Sequence, residues 1–185
     1  MSTVASMLAN VNSSQRAMAE IIEREFTAAG YDQKMVVAAI LNAIAESGLN
    51  PKAAGDGGQS IGLFQLYSKG AGAGMSVADR QDPTKNTRRI IEEVRRYGKP
   101  LLDAIAAGKS SADITALFCI YIERPKDAQI KGAGRAATLS KYFPTLGQQW
   151  LPGPAQTGYA RYALPAAGSV AILAVVGAIW WRFRR

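Results

Sequence analysis

The stretch MVVAAILNAIAESGLNP, residues 35–51, decides the fold that we predict for this chain. Its apolar residues recur at helical spacing as far as Ile44, and Asp32 is placed to cap the start of the helix. The helical period then fails, because the following segment, 48–75, is rich in glycine. The sequence therefore predicts a largely apolar helix that ends near Glu46, with a carboxyl group at its carboxyl terminus.

The segments on either side of this helix predict a mainly α fold, interrupted once by a small glycine-rich lobe. The lobe has room for one short hairpin around residues 61–67. A preceding helix is predicted to begin at Ser13 or Ser14 and to close at Gly30. Later helices are predicted from Asp82-Pro83, over residues 100–107, from Ser111 to just before Pro125, and over residues 126–142.

The carboxyl-terminal segment differs from the rest in composition. Residues 144–162 are rich in proline, glycine and glutamine and are predicted to form a linker. Residues 163–181 then run for 19 positions without a charge, close to the roughly 20 residues that a membrane-spanning helix needs. We therefore expect a domain over residues 1–143, the linker, and a transmembrane helix with a basic tail over residues 163–185. The alternative is a helix buried in an oligomer.

The net charge of +8 is unevenly distributed. Residues 1–127 carry 15 lysines and arginines against 14 acidic residues, whereas residues 128–185 carry seven basic residues and no acid. Positive charge beside an apolar segment favours a membrane or cell-wall surface as the partner. No basic helix with interleaved aromatic residues indicates sequence-specific binding of nucleic acid.

Histidine is absent, which excludes zinc amidases that need imidazole ligands and Cys-His peptidases that need an imidazole base. The single cysteine, Cys119, stands between Phe118 and Ile120, and we expect it to be buried and without a disulfide. We expect neither a metal site nor a cofactor.

Glu46 is the main candidate for chemistry. The carbonyl groups at a helix carboxyl terminus carry partial negative charge, and apolar neighbours withhold solvation. Both effects disfavour the charged form, so we expect this carboxyl group to hold its proton more tightly than usual. A carboxyl group that is protonated near neutral pH is what a glycosidase uses to protonate a leaving sugar oxygen. The abrupt change to a loop lobe predicts that Glu46 lies at a cleft.

Two motifs resemble the signature of lysozyme-like lytic transglycosylases: AESGLNPKA at residues 45–53 and IGLFQL at residues 61–66. Asp82-Pro83 with Asn86 resembles that family's "DP..N" segment, and residues 118–125 are similar to a stretch of phage tail lysozymes. The resemblance covers residues 32–127. It implies a lysozyme-like α+β fold, cleavage of the β-1,4 bond after N-acetylmuramic acid, and Glu46 as the catalytic acid/base.

The reaction can follow either of two routes. In a transglycosylase, the 2-acetamido or 6-hydroxyl group of the substrate does the nucleophilic work, and a 1,6-anhydro sugar is the product that the resemblance implies. A hydrolase needs a second carboxylate or a positioned water. Asp56 is the best candidate for that carboxylate, although an aspartate in a Gly-Asp-Gly-Gly loop is more often simply a turn residue.

Five further residues are predicted to bind substrate. Family resemblance places Gln65 in the cleft, and its alternation with Leu66 places Tyr67 there too. Ser47 is expected to help position Glu46. Tyr121 and Glu123 are placed on the far wall by resemblance, and we expect Glu123 to pair with a neighbouring arginine.

We expect a phage-encoded enzyme that is carried in the virion and opens peptidoglycan during genome ejection, acting at the membrane and periplasm of the host envelope. A cell-wall enzyme, no recognisable secretion signal and a terminal apolar segment together favour this hypothesis. Its expected partners are glycan strands, a membrane through residues 163–181, and either further copies of itself or other virion proteins. The alternative is a non-catalytic lysozyme-like scaffold in a channel or ejection complex.

Overall fold

The computed structural model describes residues 3–146 of the chain. A π-helical turn at Cys119–Glu123 directly follows the helix Ser111–Phe118, and 3-10 turns lie at Ala5–Met7 and Asp56–Gly58. Within the described residues the chain forms eight α-helices and three short strands, in the order α1 (Ser13–Ala28), α2 (Gln33–Ser47), β1 (Ala54–Gly55), β2 (Ser60–Ile61), β3 (Leu66–Tyr67), α3 (Val77–Gln81), α4 (Pro83–Tyr97), α5 (Lys99–Ala106), α6 (Ser111–Phe118), α7 (Ala128–Ala137) and α8 (Leu139–Tyr142).

This architecture confirms the prediction of a mainly α fold with a small lobe, and it is consistent with a lysozyme-like α+β fold. Between residues 3 and 146 no helix combines the length and apolar character needed to cross a bilayer. The predicted membrane helix at residues 163–181 and nearly all of the predicted linker lie outside the described residues.

Helix α2 is the centre of the core. Asp32 accepts a hydrogen bond from the Met35 N–H at 3.0 Å, as predicted, and Gly48 ends the helix in a left-handed conformation with φ of 61°. Every residue from Met35 to Ala43 is buried, so the helix is covered on all sides rather than along one face. At its carboxyl end, α2 reaches the surface only in its last turn, which contains Glu46.

Two helix boundaries differ from the prediction. Asn12, not a serine, caps α1: its side chain accepts from the Gln15 N–H and its own N–H donates to the Gln15 side chain, both at 2.9 Å. This reciprocal pair satisfies two backbone donors, whereas Ser13 or Ser14 would be followed three residues later by Arg16 or Ala17, which cannot accept the second hydrogen bond. The single helix predicted over residues 126–142 is divided at Thr138, whose hydroxyl donates to the Arg135 carbonyl at 2.7 Å.

The glycine-rich segment forms an antiparallel three-stranded sheet in the order β1-β2-β3. The predicted hairpin is confirmed as β2–β3, in which Ser60 pairs with Tyr67 and Ile61 with Leu66. Strand β1 was not predicted, because a two-residue strand that contains a glycine has no detectable period of its own.

Asn86 on α4 fastens this lobe to the helices. It is fully buried, accepts from the Phe64 N–H at 3.1 Å, and donates to the carbonyl oxygens of Ile61 at 3.2 Å and Arg80 at 2.7 Å. Gly62 lies against this amide with φ of 88°, and a Cβ there would overlap the Asn86 amide and the Arg80 carbonyl. Only glycine allows the lobe to approach α4 so closely.

We expect Gly62→Ala to destabilise the protein far more than Gly74→Ala. Both glycines have similar positive φ values, 88° and 80°, but the space around the Cβ position of Gly74 is open. Gly74→Ala should cost about 1 kcal/mol of backbone strain, whereas Gly62→Ala should cost about 2 kcal/mol more because of overpacking. Urea unfolding of the two variants measures the difference, and equal losses would show that the contact with Asn86 does not constrain the lobe.

Candidate active site

Glu46 lies in the last turn of α2, and its side chain is 21% exposed. Asn42 precedes it by one helical turn on the same face and is fully buried. The Asn42 amide nitrogen donates to the carbonyl oxygens of Ala38 at 2.8 Å and Thr115 at 3.2 Å. With its nitrogen engaged in this way, the amide presents its oxygen beside Glu46.

Arg135 on α7 joins these two residues. Its Nη1 donates to Asn42 Oδ1 at 2.5 Å, and its Nη2 forms an ion pair with Glu46 Oε1. The arginine side chain is only 8% exposed, so the pair is shielded from solvent on the arginine side. A planar guanidinium can hold two acceptors in fixed positions, and it therefore restricts the orientation of the Glu46 carboxyl group.

Gly132 lets α7 come close enough for this contact. A Cβ at this position would lie 2.9 Å from the carbonyl oxygen of Ala116 on α6. A glycine ordinarily weakens a helix, but here Gly132 permits close packing between α6 and α7. Arg135, three residues later, is thereby brought to the end of α2.

Glu123 lies at the end of the π-helical turn, close enough to Glu46 and Arg135 for their charges to act on it. Among the described residues its Oε1 is buried without a hydrogen-bond partner. Burial and the negative charge of Glu46 raise the pKa of Glu123 to about 8, and the Arg135 guanidinium opposes only part of this shift. Glu123 therefore holds its proton at neutral pH.

The expectation that Glu123 pairs with a neighbouring arginine is wrong for the adjacent Arg124. Arg124 has a left-handed backbone with φ of 52° and instead contacts α4, where it donates to Glu93 at 3.0 Å. Its guanidinium also lies 4.1 Å from the centre of the Tyr97 ring. We refer to Asn42, Glu46, Glu123 and Arg135 as the Glu46 cluster.

Two of the predicted substrate-binding residues brace the lobe. The Ser47 hydroxyl lies 3.0 Å from the carbonyl oxygen of Ala43 and 2.9 Å from that of Leu63, so it links the end of α2 to the lobe. The amide nitrogen of Gln65 donates to the carbonyl oxygens of Ala53 and Gly62 at 3.1 and 3.0 Å. These polar atoms of Ser47 and Gln65 are engaged within the protein, and the predicted roles of both residues at the substrate stay predictions.

Three further predicted residues lie on the lobe and on the π-helical turn: Asp56, Tyr67 and Tyr121. Asp56 is exposed in the turn after β1 and accepts a 2.5 Å hydrogen bond from the Ser60 hydroxyl, which fits a turn residue. The Tyr67 side chain on the lobe is 43% exposed and the Tyr121 side chain on the π-helical turn is 39% exposed. Exposed aromatic rings of this kind can stack on sugars.

A pocket of about 530 Å³ adjoins Glu46 on the side of α7 and α8. It places three cationic side chains around one acid. Its lining comprises Leu41, Ile44, Ala45, Glu46, Lys131, Gly134, Arg135, Thr138, Lys141 and Tyr142.

Sequence reasoning missed both Arg135 and Asn42. Asn42 did carry a signal, because it is a polar residue within an apolar run and lies four positions before Glu46. Arg135 carried none, since it is separated from Glu46 by 89 positions along the chain.

Within residues 3–146 no group of three or more histidine, cysteine, aspartate or glutamate side chains is arranged to hold a metal ion. Cys119 is buried, as predicted, and its burial raises the pKa of the thiol to about 11. A thiol with that pKa is protonated and unreactive at neutral pH.

A family model described as phage tail lysozyme matches residues 17–146, which is more than half of the chain. No curated protein and no solved structure gives a match. The matched range contains every member of the Glu46 cluster and the whole lobe.

We expect Arg135→Gln to destabilise the protein by about 3 kcal/mol, because it breaks a largely buried ion pair and leaves Glu46 without its cation. Arg135→Lys should cost less, since it keeps the charge but cannot hold both acceptors. Arg96→Gln is the matched control: its side chain is 59% exposed and 3.9 Å from Glu93, so the loss should stay below about 1 kcal/mol. Urea unfolding that ranks Arg135→Gln with Arg96→Gln would contradict this role.

We expect Glu123→Gln to stabilise the protein increasingly as the pH rises. The folded-state pKa of Glu123, about 8, lies above its ordinary value of 4.5. The folded protein therefore keeps a proton that the unfolded chain releases, and wild-type stability falls between these two pH values. The glutamine of the variant has no proton to release and does not lose this stability. Its melting temperature should therefore match that of the wild type near pH 4 and exceed it at pH 8.

Glu25→Gln is a control in which the pKa of the carboxyl group is lowered rather than raised. Burial alone would raise the pKa of Glu25, but hydrogen bonds from Arg88 and Arg24 outweigh it and the net pKa is lowered. That variant should therefore be less stable than the wild type at neutral pH, and the difference should shrink on acidification. A melting-temperature difference for Glu123→Gln that does not change with pH would show that its carboxyl group is not a buried acid.

Proposed function

Because the chain belongs to the phage tail lysozyme family, we propose that it cleaves the β-1,4 bond between N-acetylmuramic acid and N-acetylglucosamine in peptidoglycan, with Glu46 as the acid/base. The family itself indicates a peptidoglycan-degrading enzyme of phage origin. The bond, the residue and the reaction route are the parts that we add.

The position of Glu46 is the observation that carries this proposal. It is the acidic residue in the last turn of a helix whose residues from Met35 to Ala43 are buried, and it borders a pocket large enough for part of a sugar. The Ser47 contact with Leu63 fixes the lobe next to it. A single carboxyl group that is held in place between a lobe and a helical wall suits protonation of a glycosidic oxygen.

Glu123 is the second acid of the Glu46 cluster. In the free protein Glu46 is paired with Arg135, and burial together with the Glu46 charge raises the pKa of Glu123 to about 8. We propose that Glu46 itself gives the proton to the leaving oxygen, and that Glu123, by staying protonated, adds no second negative charge beside it.

We propose the substrate-assisted route rather than one that uses Asp56 as a second carboxylate. Asp56 belongs to the turn of the lobe and is hydrogen-bonded there to Ser60. We therefore favour attack by the 2-acetamido or 6-hydroxyl group of the substrate, which would make the enzyme a lytic transglycosylase.

We further propose that the protein is a virion component that opens the cell wall during genome ejection and then acts at the host envelope. The phage tail lysozyme family supports a virion-associated enzyme. Membrane association through residues 163–181 and contacts with further copies or other virion proteins belong to this proposal.

We expect Glu46→Gln to lose at least about a hundredfold of the activity, because an amide cannot donate the required proton. Clearing of purified peptidoglycan in a gel measures it. Glu20→Gln, which removes an exposed carboxylate from α1, should clear as well as the wild type. Equal clearing by Glu46→Gln and the wild type would show that another residue is the acid.

A further inference from the structure

The pocket beside Glu46 carries positive charge that the protonation step does not use. We call it the basic pocket and define it by Lys131, Arg135 and Lys141, with Thr138 and Tyr142 between them. Glu46 is its one acidic lining residue, and that carboxyl group is already paired with Arg135. Two ammonium groups therefore remain without an anion in the lining.

Both lysines are available to a ligand. Among residues 3–146, neither Lys131 nor Lys141 has a carboxylate within ion-pair distance, and both residues are exposed. The Lys141 ammonium lies 4.9 Å from the centre of the Tyr142 ring, so the aromatic face holds it at the pocket. The lysines come from different helices, α7 and α8, and thus approach the pocket from two directions.

The remaining lining suits a short peptide. Leu41 and Ile44 of α2 supply an apolar wall. An apolar wall with cations at the rim fits a ligand that combines aliphatic groups with carboxylates.

Peptidoglycan supplies such a ligand at the right place. Its sugar rings are uncharged, and its carboxylates belong to the peptide stems attached through the lactyl ether of N-acetylmuramic acid. The bond that we propose Glu46 to cleave starts at the anomeric carbon of that same sugar. A pocket bordering Glu46 is therefore within reach of the stem when the bond is in place.

We propose that the basic pocket binds the carboxylates of a peptide stem through Lys131 and Lys141, so that the protein recognises peptide-bearing N-acetylmuramic acid. The assignment rests on the proposed function for its substrate, but it concerns binding and is testable without catalysis. Two partly exposed ion pairs should contribute about a fivefold difference in affinity.

Titration of the full-length protein with N-acetylmuramyl-L-alanyl-D-glutamate, followed by NMR or calorimetry, tests the proposal. The wild type should bind this acid about fivefold more tightly than its neutral diamide. The double variant Lys131→Gln/Lys141→Gln should bind both forms equally. The matched double variant Lys99→Gln/Lys109→Gln removes the same charge from α5 and the loop that follows, and it should keep the wild-type preference.

A second anionic ligand tests whether the basic pocket prefers peptide carboxylates or a phosphate on the sugar. N-acetylglucosamine 6-phosphate carries its charge at C6 of the ring and has neither the lactyl group nor a peptide. The proposal is overturned if this phosphate binds more tightly than the peptide acid, if the wild type does not prefer the acid to the diamide, or if the Lys131/Lys141 variant keeps that preference. Failure of the proposed catalysis would appear instead as peptidoglycan that the wild type leaves intact.

Discussion

The burial of α2 from Met35 to Ala43 is the constraint on which the rest of the structure depends. Because residues from Met35 to Ala43 are all buried, the helix can present chemistry only where it emerges, and Glu46 stands at that point. Burial also requires hydrogen-bond partners for Asn42, since a polar amide inside a core must be hydrogen-bonded. Its nitrogen is satisfied by two backbone carbonyls and its oxygen by Arg135.

Arg135 links the buried Asn42 to Glu46 at the candidate active site. One guanidinium satisfies a buried amide and orients the proposed catalytic carboxyl group, so that the stability of the core and the geometry of the site depend on the same side chain. It also lines the basic pocket together with Glu46 and the two lysines. The protonated Glu123 completes the arrangement, because two carboxyl groups so close together do not readily both ionise.

Local signals in the sequence predicted most of the helices, the hairpin and the place of Glu46 at a helix end, because capping residues, apolar period and glycine content act over a few residues. The five-residue helix α3 was not predicted. The Asp32 cap, the start at Asp82-Pro83 and the β2–β3 hairpin are confirmed. Arg135 could not be found in this way, since its role arises from the packing of α7 on α6 at Gly132. The same limit applies to Glu123, whose proton depends on burial that no local pattern shows.

Mass spectrometry of the fragments that the full-length protein releases from purified peptidoglycan tests the central claim most directly. If Glu46 cleaves the proposed bond, the new end of each fragment is N-acetylmuramic acid, in the 1,6-anhydro form if the substrate-assisted route is followed. A reducing N-acetylmuramic acid end would support the proposed bond and the role of Glu46 as the acid. It would also show that the reaction is hydrolysis rather than the substrate-assisted route. Fragments with N-acetylglucosamine at the new end, or intact glycan strands freed from their peptides, would contradict the account.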